Sequence, residues 1–97
     1  MLYAMIAKDK PGSADQRTAV RPVHLEHLQS LGNRMKLAGA LLGAEDKPEG
    51  SLMVIEANSI EEARRLFEAD PFVQQGIFAS YEIKPWRVAI DNYADKD

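Results

Sequence analysis

The 97-residue sequence contains no cysteine. Disulfides, zinc–thiolate centres and thiol nucleophiles are therefore excluded. It has no basic block either: 12 Lys and Arg stand against 15 Asp and Glu, a formal charge of −3. A chain that grips nucleic-acid phosphates needs a basic stripe, so no nucleic-acid partner is expected. No apolar run approaches the roughly 20 residues of a membrane-spanning helix. The opening MLYAMIAKDKPG lacks the basic start and small-residue cleavage site of a secretion signal. No membrane association is expected, and the cytoplasm is the expected compartment.

What is present reads as one soluble, folded domain, with 45% hydrophobic and 28% charged residues. That length supports a single small two-layer core. No internal repeat or low-complexity segment interrupts it.

Residues 2–9, LYAMIAKD, read as a buried first strand that stops at Pro11-Gly12. From Ala14 to Leu37 the apolar residues Val20, Leu28, Leu31 and Met35 recur at helical spacing. A long helix is expected there, broken or restarted at Pro22, because proline suits a first turn and not an interior. AGALLGA (38–44) and SLMVIEA (51–57) flank the turn residues EDKPEG and read as a hairpin. Ser59 and Glu62 form the pattern of a capping box ahead of a second helix. Asp70-Pro71 then starts one extra turn, stopped by Gly76. Residues 77–86, IFASYEIKPW, give the last strand, and the polar tail 91–97 is expected to fray.

The order β-α-β-β-α-β is the ferredoxin-like α+β plan: a four-stranded antiparallel sheet with the helices on one face. The domain is expected to span residues 1–90. The strands YAMIA and SLMVIEA are largely apolar on both parities, which would leave the second sheet face as an exposed patch. A homodimer that buries this face, sheet against sheet, is expected.

Chemistry is expected at RPVHLEHL, residues 21–28. With His24 at zero on a helical wheel, Leu28, Leu31 and Met35 fall within about 40° of it. Arg17, Val20, Arg21 and His27 lie within about 60° on either side. One end of the inner stripe is thus apolar and the other is Arg and His, the pattern of a pocket at that end of the helix–sheet layer. A lone histidine on an apolar face is more often a packed core residue. Asp70 is the best partner to orient His24 as a base, although Asp before Pro is also ordinary capping. Arg21, with Arg17, can attract a carboxylate, and Ser51 can donate a hydrogen bond into the pocket or simply sit at a strand edge. His27 reads as rim. His24 and His27 at i, i+3 have no third ligand nearby, so no metal is expected. Phe72 and Trp86 read first as core aromatics. A haem would need a larger apolar cavity than this short chain suggests, and no cofactor is expected.

Taken in order, Arg21-Pro22-x-His24-Leu25-x-His27-Leu28, Ala38-Gly39, Gly50-Ser51-Leu52, Glu61-Glu62-Ala63-Arg64, Asp70-Pro71-Phe72, Gly76 and Pro85-Trp86-Arg87 resemble the YciI-like (YCII-related) family over nearly the whole chain. The resemblance implies a dimeric α+β barrel and a His–Asp pair, matching His24 and Asp70. Chloromuconolactone dehalogenases and muconolactone isomerases of the same superfamily act on small lactone acids. The expected reaction class is therefore isomerase, lyase or dehalogenase chemistry on a small anionic lactone or carboxylate. The alternative is a non-catalytic small-molecule binding or structural dimer.

Overall fold

The computed structural model describes residues 1–93. β1 (Leu2–Asp9) is the sheet's inner seam, and the alternation along it sets the layers. Tyr3, Met5 and Ala7 are buried, whereas Ile6 and Lys8 are exposed. α1 spans Ala14–Ser30, β2 Met35–Leu42 and β3 Pro48–Glu56. α2 covers Ile60–Glu68, α3 Pro71–Gln74 and β4 Phe78–Trp86. The strand order is β2-β3-β1-β4 with every pairing antiparallel. This is the ferredoxin-like α+β fold of the dimeric α+β barrel proteins.

The register stacks Met53, Met5 and Ile83 across three strands of the inner face. They join Leu28 and Leu31 from the α1 end, Ala63 and Phe67 of α2, and Phe72 of α3 in one core. α2 begins at Ser59, whose side chain accepts from the Glu62 amide. The reciprocal arm differs from the expected capping box: Glu62 reaches Asn58 N–H at 2.7 Å instead of the cap residue's own amide. Tyr81 Oη donates to Glu68 Oε2 at 2.6 Å and ties β4 to α2. That bond to a carboxylate raises the phenol pKa above its ordinary value.

Two expectations for the first helix are corrected. α1 runs through Pro22 without a break. Pro22 and Thr18 are both on the exposed side, so water can meet the carbonyl that loses its donor. The helix also ends before Leu37. Gly32 adopts φ 59 just beyond it, a left-handed stop that glycine takes without strain. Met35 consequently opens β2 and does not continue the helical stripe.

The helix-free sheet face carries exposed Ile6, Leu37, Leu41 and Leu52. Trp86 pairs across from Leu2 on this face and is 42% exposed, so it is not the core aromatic expected of it. Residues 87–93 carry no strand or helix, and the remainder of the expected frayed tail, 94–97, lies outside the described residues. Among the described residues, no helix is long and apolar enough to cross a membrane.

At Gly50 the backbone of β3 passes close to that of β1. A Cβ there would collide with the Ala7 carbonyl oxygen of β1. Gly50→Ala is expected to destabilise by about 1–3 kcal/mol, the cost of forcing an extra carbon into a packed site. Urea denaturation reads it directly, and an unchanged midpoint would contradict the close approach.

Candidate functional site

α1, β2, β3 and α3 enclose a cavity of about 120 Å³ on the helix side of the sheet. Its floor on β2 is Ala38, Gly39 and Ala40. The space exists because these side chains are small where the facing strand carries Met53 and Ser51. An apolar cavity of about 150 Å³ can hold benzene, so this smaller space, partly lined by Arg, His and Ser, does not enclose a whole ring without its open mouth.

His24 comes into the cavity from the middle of α1, where the wheel placed it, and Asp70 meets it from 46 residues away. His24 Nδ1 lies 2.7 and 2.9 Å from the two Asp70 oxygens. Asp70 is 1% exposed and also caps α3, accepting the Phe72 amide at 2.9 Å. This aspartate therefore caps the turn and hydrogen-bonds the histidine with the same carboxylate. Its carboxylate can only accept, so the Nδ1 facing it carries the proton. In the neutral ring Nε2 is then a bare acceptor. Among the described residues Nε2 has no protein partner, and no fully buried side-chain polar atom is left unpaired. Nε2 is accordingly reached by solvent. The ring is fixed in plane by Phe72, stacked at 3.7 Å and 2°.

Arg17 is buried and lines the same cavity, but its terminal N–H groups are already engaged. Nη1 donates to both Asp9 oxygens at 2.8 Å. Nη2 donates to Gly50 O at 3.0 Å and Ser51 Oγ at 3.1 Å. Nη1 shares one N–H between the two carboxylate oxygens, and Nη2 makes both of its contacts to β3. The Arg17 Cζ also sits 4.8 Å from the Phe72 ring centroid. The charge of Arg17, expected to help attract a carboxylate, is matched by Asp9, and both of its terminal nitrogens are bonded to protein groups. Arg21, one turn on, lines the cavity, is exposed, and has no ion-pair partner among the described residues. It is the cation available to a ligand.

Ser51 faces the cavity from β3 and is buried. His27 is not brought in: its Nε2 hydrogen-bonds to Leu66 O at 2.9 Å and ties α1 to α2. No group of three His, Cys, Asp or Glu that could hold a metal occurs among the described residues.

Asp9 was not singled out from the sequence, yet it anchors this wall. The signal was there: Tyr3, Met5 and Ala7 alternate inward, and Asp9 continues their parity to the strand's end. The small floor of β2 left no comparable sign, because its vacancy depends on which residues stand opposite.

Residues 1–87 match the family model described as the YCII-related domain. The protein named YciI from Escherichia coli is 34% identical over 95 residues, covering 90% of this chain and 97% of its own. A solved 5-chloro-2-hydroxyhydroquinone dehydrochlorinase from Burkholderia phenoliruptrix, in complex with 2,5-dihydroxybenzoquinone, is 34% identical. It superposes with a TM-score of 0.84 over 90% of this chain and 94% of its own. A NIPSNAP family protein from Agrobacterium tumefaciens shares the fold at 13% identity, with a TM-score of 0.55 over 95% of this chain and 96% of its own.

Proposed function

The chain belongs to the YCII-related domain family, and on that premise we propose that it is a small enzyme in which His24, oriented by Asp70, is the general acid/base. Its substrate is a small anionic ring compound of the lactone or carboxylate class. The observation that carries this reading is the buried His24–Asp70 pair whose outer nitrogen opens on a small cavity. Nε2 takes a proton from a carbon activated by a carbonyl. The C–H electron pair moves toward that carbonyl, and either the proton returns at another carbon or a leaving group departs with its own pair. The first outcome is isomerisation, the second elimination. The similar Burkholderia enzyme, named as a dehydrochlorinase and solved with a dihydroxybenzoquinone, supports the second outcome and a single-ring substrate. Arg21 at the mouth receives the substrate's carboxylate.

The test is a panel of small ring compounds: lactone acids such as carboxymethyl-butenolide, and chlorinated hydroxyhydroquinones as the phenolic comparison. It is read by proton NMR for C–H exchange into deuterated solvent and by chloride release. Turnover that disappears in His24→Gln supports the reading. Ligand-induced thermal stabilisation with no turnover of any member would favour a binding module instead.

We also propose that two copies pair through the helix-free sheet face. Ile6 and Leu52, adjacent across β1 and β3, lie at the centre of the exposed apolar residues there. Burying such a patch removes apolar surface from water. Leu52→Asp is expected to convert a dimer into a monomer in sedimentation at micromolar concentration, and a monomeric wild type would refute the pairing.

A further inference from the structure

The Arg17 network settles which way Ser51 can hydrogen-bond. A serine hydroxyl has one proton and two lone pairs. Arg17 Nη2 occupies one lone pair at 3.1 Å. Among the described residues nothing accepts the Ser51 proton, and the hydroxyl lines the cavity that His24 also lines. A ligand that donated to Ser51 would leave that proton buried and unpaired, which is costly. A ligand oxygen that accepts it completes the chain Asp9–Arg17–Ser51.

We propose that Asp9 and Arg17 are positioning residues that make the β3 wall a hydrogen-bond donor, so that the ligand presents a carbonyl oxygen to Ser51 and an acidic C–H to His24. This deepens the acid/base reading of His24 and rests on it: the substrate is a conjugated cyclic carbonyl compound. As the C–H proton passes to Nε2, the electron pair delocalises onto the carbonyl oxygen. The Ser51 proton stabilises that oxygen without leaving Oγ. Arg17 polarises the hydroxyl, since a donor bonded to a cation-backed oxygen is itself a stronger donor. Its charge is balanced by Asp9, so this wall selects a neutral acceptor and Arg21 alone selects the anion.

Two probes test the wall: carboxymethyl-butenolide and its counterpart without the ring carbonyl, dihydrofuranyl-acetate. Calorimetry is expected to show the carbonyl probe binding at least about tenfold tighter to wild type, with the preference gone in Ser51→Ala and restored in Ser51→Thr. Asp9→Asn is expected to weaken the preference while circular dichroism confirms a folded chain. In the exchange assay Ser51→Ala is expected to lower kcat by about 10²–10³-fold and to raise KM about tenfold, in step with the lost binding preference. Equal affinity for the two probes, or binding of neither at millimolar concentration, overturns the proposal. If exchange requires His24 but ignores Ser51→Ala and Asp9→Asn, the donor wall alone fails. Undiminished exchange in His24→Gln instead brings down the base reading on which it rests.

Discussion

Asp9→Ala is expected to destabilise the protein by about 3–5 kcal/mol, the cost of stranding a buried charge whose partner has been removed. The side chains of Asp9 and Arg17 are 7% and 10% exposed, so water cannot replace the carboxylate. Arg17 would keep only its bonds to Gly50 and Ser51. A domain of this size commonly has about 5–15 kcal/mol of stability in total, so the loss is a large share of it. The companion variant separates charge from packing. Asp9→Leu combined with Arg17→Met removes both charges and keeps apolar volume, and is expected to be far milder than Asp9→Ala. Urea melts of the three proteins check this. A loss below about 1 kcal/mol in Asp9→Ala would mean that the pair is solvated as a surface pair is.

Asp70→Asn is expected to lower turnover by about 10⁴-fold, the scale seen when the orienting carboxylate of a catalytic histidine becomes an amide. The amide oxygen can still cap α3 by accepting the Phe72 N–H. That oxygen also lies 2.7 Å from His24 Nδ1, and the NH₂ takes the second position, 2.9 Å from Nδ1. There it opposes a proton on Nδ1 and favours the tautomer protonated on Nε2, which removes the base from the cavity. The fold is expected to survive, because the cap and the stacked Phe72 both remain. Nitrogen-15 NMR of labelled histidine reads the tautomer change directly. A variant that keeps the Nε2-bare tautomer together with full activity would contradict the orienting role.

The inner face of α1 was legible because burial of Arg17, His24 and Leu28 follows the 3.6-residue period. The same periodicity misled at Met35. Its spacing from Leu28 and Leu31 fits a helix, but Leu31-Gly32-Asn33 is a stop signal, and a glycine with φ 59 outranks spacing. Pro22 misled in the other direction, since a proline on the solvent side of a long helix is tolerated where a buried one is not. Asp70 read as a cap from Asp-Pro alone. Its second bond, to His24 across 46 residues, is a tertiary fact: the sequence names Asp70 as the candidate partner, but the spacing carries no distance, and the family resemblance strengthens the pairing. Arg17 read as a free cation because its balancing charge lies on another element, at the end of β1.

His24 is expected to take a proton from a ring carbon of the substrate. Carboxymethyl-butenolide incubated with the protein in deuterated water and followed by proton NMR reports it. Wild type is expected to exchange the activated ring C–H at least about 10²-fold faster than His24→Gln, the lower range of what a placed base contributes. Equal rates in the two folded proteins would contradict the claim that His24 is the base.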